Sequence, residues 1–414
     1  MPSLRKYFHC YDCVELPCVG VKCGGGASRI AHISEGEAYF WSIFINVNVI
    51  QFARLILLER SSLMVKVKIV GATGYGGIGL IELLGRHPEA EITALVARED
   101  VGKRVSDIYP HLAGFCDLPI LDAADPQAQA PADIVVFSTP DRVGMFEAPG
   151  VLSQGAKVLD FSGDFRFTTQ EAYADYATRH GKEPEHASPD LLGQNAYGLA
   201  ELHRSEIAAA PVVGNPGCFA CSCILGLAPA AKARLFNPYS VICDCKTGVS
   251  GAGKKLAATF HYPARYENMN AYKLAGHQHV CEVERELSLQ YGADVRLTFT
   301  AHVLPLCRGI MSTLYAQMDA VHTEEELVEL YKAFYKDSPF VRVYGSKAAI
   351  GTNSVQRTNF CNLVVSVDPR VNRLRVVSYI DNLMKGQAGS AVQNINLMSG
   401  LPEATGLLYS GLYP

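Results

Sequence analysis

A run from Val65 to Val70, apolar except at Lys66 and Lys68, is followed at once by Gly71-Ala72-Thr73-Gly74-Tyr75-Gly76-Gly77 and then by a second apolar run from Ile78 to Leu84. A chain that must bury both runs has few choices. A buried strand, a glycine turn and a helix open a strand-helix alternation, and such an alternation closes as a parallel sheet with helices over its faces. The turn lets backbone approach an anion, with the free N–H groups of the helix N-terminus as donors. Its G-x-x-G-x-x-G spacing is looser than the dinucleotide fingerprint, so a nucleotide turn and an ordinary tight turn both stay open.

The alternation continues. Ile78 to Arg86 reads as helix, Ile92 to Val96 as the second strand and Ile134 to Ser138 as a later one. Where a carboxylate would hold the ribose hydroxyls of NAD, the chain has Ala97 and Arg98, and a guanidinium suits a 2′-phosphate; Glu99 and Asp100 follow closely. Asp160-Phe161-Ser162-Gly163-Asp164-Phe165-Arg166 ends another strand. Its aspartates form either an acid pair or a turn cap with Arg166 as ion partner. The polar stretch from Thr168 to Arg204 reads as a connecting excursion.

Val213-Gly214-Asn215-Pro216-Gly217-Cys218-Phe219 then repeats the strand-turn-helix logic around a thiol. Cys218 falls at the N-terminus of a helix over Phe219 to Ala233, where the macrodipole favours thiolate over thiol. Tyr272 and the pair His277 and His279 follow, and an imidazole is the usual acid-base partner of a reacting cysteine. A nucleotide turn, a helix-initial cysteine and a later imidazole point to a reductase working through a thioester.

Nine ordered blocks make that specific, among them GATGYGG from Gly71, VLDFSGDFR from Val158, VGNPGCFA from Val213, GVSGAGKK from Gly248, AGHQHVCEVE from Ala275 and DNLMKGQAGSAVQNIN from Asp381. From Met64 onward the chain resembles the N-acetyl-gamma-glutamyl-phosphate reductase family of arginine biosynthesis. The resemblance implies an α/β fold. A Rossmann-type nucleotide-binding domain over 64–214 is followed by an α+β catalytic and oligomerisation domain of the glyceraldehyde-3-phosphate/aspartate-semialdehyde dehydrogenase type over 215–385. The segment 386–414 returns to the first domain. It also implies NADPH, an acyl-phosphate substrate and a homo-oligomer, tetramer or dimer, in the cytoplasm. Cys218 would be the nucleophile and His279 the acid and base, with His277 in reserve. The cofactor contacts expected are Gly71, Thr73, Gly74, Tyr75, Gly76, Gly77, Arg98, Ser138, Pro140, Ser250, Gly251, Asn382, Lys385 and Gly386. Asn215, Lys254, Arg308 and Tyr272 are expected on the substrate. Three alternatives are the lysine-biosynthesis homologue acting on an aminoadipyl phosphate, aspartate-semialdehyde dehydrogenase, disfavoured because its nucleophile motif lacks the Asn215-Pro216-Gly217 turn, and a nucleotide-binding sensor without turnover. Cys221 stands where the family usually has threonine, which suggests sensitivity to oxidation.

The net charge of −4 gives no electrostatic case for nucleic acid. Thirteen cysteines without a small-domain disulfide spacing read as free thiols, and Cys221, Cys223, Cys243 and Cys245 as packing rather than metal ligands. Met1 to Leu63 lies outside the pattern. Cys10, Cys13, Cys18 and Cys23 lack a second ligand pair, and the apolar patch from Tyr39 to Leu58 is broken by Asn46, Asn48, Gln51 and Arg54. An upstream mis-assigned start is expected there, with a plastid or mitochondrial targeting peptide as the alternative. In the second domain Val295 to His302, Ile310 to Met318, Asn362 to Asp368 and Leu374 to Ile380 read as an antiparallel sheet. Thr323 to Glu326 is a capping box opening a helix through Phe334, and a last helix runs from Ser390 to Met398.

Overall fold

The computed structural model describes residues 64–411; the expectations for Met1 to Leu63 lie outside the described residues. Strands are numbered in chain order, as are helices of ten residues or more. The first half comprises β1 (Val65–Val70), α1 (Tyr75–Leu84), β2 (Ala90–Val96), β3 (Ile120–Leu121), β4 (Ile134–Phe137), α2 (Gly144–Ser153), β5 (Lys157–Asp160), α3 (Gln170–Arg179), β6 (Asn195–Tyr197), α4 (Ala200–Ala209) and β7 (Val212–Gly214). Its sheet is parallel throughout, in the order β3-β2-β1-β4-β5-β7-β6. Val67, Ile69, Val136 and Leu159 are fully buried, as strands covered on both faces require. The chain turns back between β1 and β4, and a crevice at such a reversal is where open α/β sheets take ligands.

The polar stretch from Thr168 to Arg204 is more than a connection. It holds α3, whose Thr169 hydroxyl accepts from the Ala172 N–H, and the edge strand β6. Only Tyr173, Tyr176 and Ala177 of α3 are buried, a stripe too narrow to stand out in a polar sequence.

The second half comprises α5 (Cys218–Lys232), β8 (Val241–Thr247), β9 (Asn270–Tyr272), α6 (His279–Tyr291), β10 (Leu297–Val303), β11 (Ile310–Gln317), α7 (Glu324–Phe334), β12 (Val341–Gly345), β13 (Cys361–Asp368), β14 (Arg373–Ile380) and α8 (Gly389–Met398). The sheet order is β12-β13-β14-β11-β8-β10-β9. It is mixed where an antiparallel sheet was expected, because β8 runs parallel to β10 and β12 to β13. The chain is carried back to start in the same direction by α6, which lies between β8 and β10, and by the 346–360 connection with its short helical turn Thr352–Ser354 between β12 and β13. Thr323 caps α7 with the reciprocal Glu326 contact that the sequence announces.

One face of this sheet is dry. Along β11 every second residue from Ile310 to Ala316 is buried, while Met311, Thr313, Tyr315 and Gln317 on the other face are not. The dry face packs on α5, which is buried continuously from Phe219 to Ala231. Cys223, Cys243 and Cys245 fill that interface as small apolar groups, Cys223 and Cys245 with sulfurs 3.5 Å apart.

Candidate active site

β7 ends beside β5, and the Asn215 N–H donates to Asp160 O at 2.7 Å, which aims the turn at the crevice. Gly217 follows with φ −67°, a conformation any residue adopts, so its lack of a side chain answers a need for space. A Cβ there would lie 2.3 Å from Nε2 of His279. On the other side, a Cβ on Gly386 would lie 2.8 Å from Cβ of Cys218. The two glycines thus let the imidazole close on the residue before the cysteine, and a second backbone segment on the cysteine itself.

His279 opens α6 and is buried, its Nδ1 without a hydrogen-bond partner among the described residues. His277 packs against it with ring centroids 4.8 Å apart, and its Nδ1 accepts from the His279 N–H at 3.2 Å. Burial, aided by Lys273, pushes His277 down to about 3, and burial beside His277 holds His279 well below its ordinary value. Both rings are therefore neutral near pH 7. The thiolate expected of Cys218 is corrected: desolvation pushes its thiol up to about 11, overriding the Phe219 N–H and Arg166, which pull the other way. Thiol and imidazoles are thus all uncharged near pH 7.

A buried ion pair fixes this geometry. Arg166 donates from Nη1 to Glu282 Oε1 at 2.9 Å, from Nε to Asn215 O at 2.8 Å and from Nη2 to Phe161 O at 2.6 Å. Glu282 Oε2 accepts from the Gly217 N–H and the Tyr197 hydroxyl, each at 3.0 Å. Arg166 thus pairs with Glu282 and not with an aspartate of its own loop. Asp164 instead accepts from the Arg142 and Met145 N–H groups at the start of α2, and Asp160 accepts from the Ser162 hydroxyl. Burial, with Asp164 nearby, raises Asp160 above the usual carboxylate range.

A cavity of about 840 Å³ lies at the sheet's reversal, lined by Gly71, Thr73, Gly74, Arg98, Glu99, Ser138, Pro140 and Lys254 among others. Gly71 has φ +83°, and a Cβ on it would meet Ser138 O at 2.3 Å, so backbone alone forms that wall. Thr139 Oγ1 and Gln387 Oε1 are buried without partners among the described residues, Thr139 lining the cavity and Gln387 packing against Gly76. A glycine cradle, a basic end and orphaned polar atoms fit a nicotinamide dinucleotide. A second cavity of about 490 Å³ shares Thr139 and reaches His279.

The other anticipated residues are distributed unevenly. Gly76 and Gly77 are packing glycines, and Tyr75 is partly exposed. Lys254 lies in the first cavity with Arg98, not beside Cys218. Asn215 is pinned as scaffold, its amide donating to Gln387 O and accepting from Asn394. Ser250 and Asn382 bond each other and tie Gly251's loop to the 307–309 turn. Arg308 faces Asp381 at 3.4 Å, and Tyr272 packs edge-on to His277. Lys385 does not reach the cleft: it is fully buried, its Nζ 2.6 Å from both Glu201 and Gln393. It belongs to a π-helical turn, Met384–Ala388, whose Lys385 carbonyl accepts from the buried Cys221 thiol at 3.4 Å. Glu282, Thr139 and Gln387 were not legible as site residues, since only the fold brings them to it.

Comparison with known proteins separates the same two halves. Residues 66–210 match the semialdehyde dehydrogenase NAD binding domain, and residues 218–382 match the semialdehyde dehydrogenase dimerisation domain. Solved aspartate semialdehyde dehydrogenases share the fold. The Vibrio cholerae enzyme II superposes with TM-score 0.62 at 17% identity, covering 81% of this chain and 98% of that one. The Candida albicans enzyme, solved with NADP, gives 0.57 at 14%, covering 81% and 98%. The chain is thus a nicotinamide-dependent oxidoreductase of the semialdehyde dehydrogenase class. The N-acetyl-gamma-glutamyl-phosphate reductase of Pelotomaculum thermopropionicum is 43% identical over 84% of this chain and 99% of its own length. That of Symbiobacterium thermophilum is 42% identical over 84% and 99%. The chain belongs to the N-acetyl-gamma-glutamyl-phosphate reductase family.

Proposed function

We propose that the chain reduces N-acetyl-L-glutamyl 5-phosphate to the 5-semialdehyde and phosphate in arginine biosynthesis, with Cys218 as nucleophile and His279 as acid and base. The observation that carries the assignment is Gly217, whose missing side chain leaves room for Nε2 of His279 beside the cysteine turn. In this reading Sγ of Cys218 adds to the acyl carbon while its proton passes to Nε2 of His279. The C–O bond to phosphorus breaks, the phosphate takes its bonding pair and that proton, and a thioester remains. A reduced nicotinamide, when bound, supplies a hydride to the acyl carbon. The C–S bond then breaks to release the aldehyde, and the thiolate regains a proton from solvent through His279. The Cys218 and Phe219 N–H groups at the start of α5 steady the sulfur while it is charged.

NADPH is the proposed cofactor, since Arg98 and Lys254 line one cavity and can both face a 2′-phosphate. The division at 64–214, 215–385 and 386–414 follows the placement of Cys218 and the packing of α8 on α1 and α4. The undried face of the second sheet, with Ile242 39% exposed, suits a second copy of the chain in a dimer or tetramer. Among the described residues no helix is long and apolar enough to cross a membrane, and we place the enzyme in the cytoplasm.

The test is phosphate-dependent oxidation of N-acetylglutamate semialdehyde with NADP+, run beside the aminoadipate homologue and with Cys218→Ala. Loss of at least about a thousandfold in kcat with NADPH binding retained is expected. Faster turnover of the longer homologue would reassign the substrate.

A further inference from the structure

The cavity beside His279 has more cationic than anionic lining. Arg166, Arg179, His180, Lys182 and Lys273 line it with His279. Three of these cations have carboxylates: Arg166 has Glu282, Arg179 has Asp175, and Lys182 has Asp141. Among the described residues Lys273 has only a neutral partner, the Gln278 amide oxygen. Both ring nitrogens of His180 are buried without partners among the described residues, as is Nδ1 of His279. A cavity that exposes an uncompensated ammonium to unpartnered imidazoles is short of one anion.

The backbone makes the same point independently. Lys273 has φ +50°, in the left-handed region that an unbranched non-glycine residue enters at a cost of about 1 kcal/mol. Its carbonyl accepts from the Gly276 N–H at 3.1 Å, closing the turn that carries the chain from Tyr272 to His277. That conformation is retained at the mouth of the cleft, where the ammonium faces the cavity. The positive charge of Lys273 is also among the causes that hold His180, Lys182, His277 and His279 below their ordinary values.

We propose that Lys273, with His180 as second donor, is the receptor for an oxyanion of the acyl-phosphate substrate, holding it against the His279 side of the cleft. This rests on the reductase reading. It also fits the placement of the two other candidate cations, since Lys254 lies in the first cavity and Arg308 faces Asp381. The oxyanion has two sources in such a substrate, the departing phosphate and the non-reacting carboxylate.

The experiment is calorimetric titration of the full-length protein with inorganic phosphate and, separately, with N-acetyl-L-glutamate. Wild type, Lys273→Met, Lys273→Arg and His180→Asn are compared. Lys273 is exposed, so its replacement does not threaten folding. Loss of a charge-assisted contact predicts at least about tenfold weaker binding of one or both probes to Lys273→Met, with Lys273→Arg restoring it to within about threefold. Loss in the phosphate arm assigns the site to the leaving group, and loss in the N-acetylglutamate arm assigns it to the carboxylate. Unchanged binding of both probes, equal loss in Lys273→Met and Lys273→Arg, or a wild type that binds neither probe overturns the proposal. A wild type that binds the probes but does not reduce the acyl phosphate would overturn the reductase reading and leave the receptor standing.

Discussion

Gly217→Ala tests the cysteine-imidazole geometry with one methyl group. The new Cβ would sit 2.3 Å from Nε2 and 2.4 Å from Cδ2 of His279, and 2.9 Å from Oε1 of Glu282. Ordinary contact begins near 3.4 Å, so the ring must retreat by about 1 Å. The backbone tolerates alanine at φ −67°, which leaves sterics as the only cause. The ring cannot simply tip away, because Phe219 and His277 pack against it with centroids 6.1 Å and 4.8 Å distant. Overpacking of this kind costs about 1–3 kcal/mol of stability. A displacement of about 1 Å between reacting groups costs about a hundredfold in rate. Steady-state kinetics in both directions, with thermal unfolding as the control for folding, should show kcat falling by about that factor and KM for the acyl phosphate changing far less. A folded Gly217→Ala enzyme with kcat within about threefold of wild type would falsify the claim that Nε2 of His279 is the proton acceptor.

Three further outcomes follow from the electrostatics. Because burial holds the Cys218 thiol near 11, its alkylation by iodoacetamide in cofactor-free protein should keep accelerating up to about that pH; a plateau below pH 9 would mean a preformed thiolate. The same shift makes the folded state lose stability as pH rises from the ordinary thiol range toward 11, since the unfolded chain ionises first, and Cys218→Ala should flatten that decline in urea titrations. Lys385→Met should cost about 3–5 kcal/mol by leaving Glu201 charged and buried, whereas Lys385→Met with Glu201→Leu should recover most of it; additive losses in the double-mutant cycle would show that the two do not act as a pair.

Much of the first half was readable because each signal is local. Val65 to Val70 is the strand its apolar run announces, and the Asn215-Pro216-Gly217 turn does set Cys218 at a helix start. What resisted reading depends on distance along the chain. Arg166 and Glu282 are 116 residues apart, and nothing in either neighbourhood names the other. Period-two alternation in β11 reports which face is buried but carries no strand direction, so the parallel pairings of β8 with β10 and β12 with β13 stayed hidden. Lys385 looks like a loop lysine before a glycine; its burial follows from Glu201 and Gln393 meeting it across two helices. The thiol's ionisation was misjudged because the dipole is visible from sequence and the dehydration around it is not.

The turn Met384–Ala388 touches both halves of the chemistry. Gly386 backs Cys218, while Gln387 and Ala388 press on α1 at Gly76 and Gly79. The sulfur and the floor of the dinucleotide cleft are therefore clamped to one short piece of chain. A change in the length or shape of this turn would therefore disturb the nucleophile and the dinucleotide floor together, with no substitution in either.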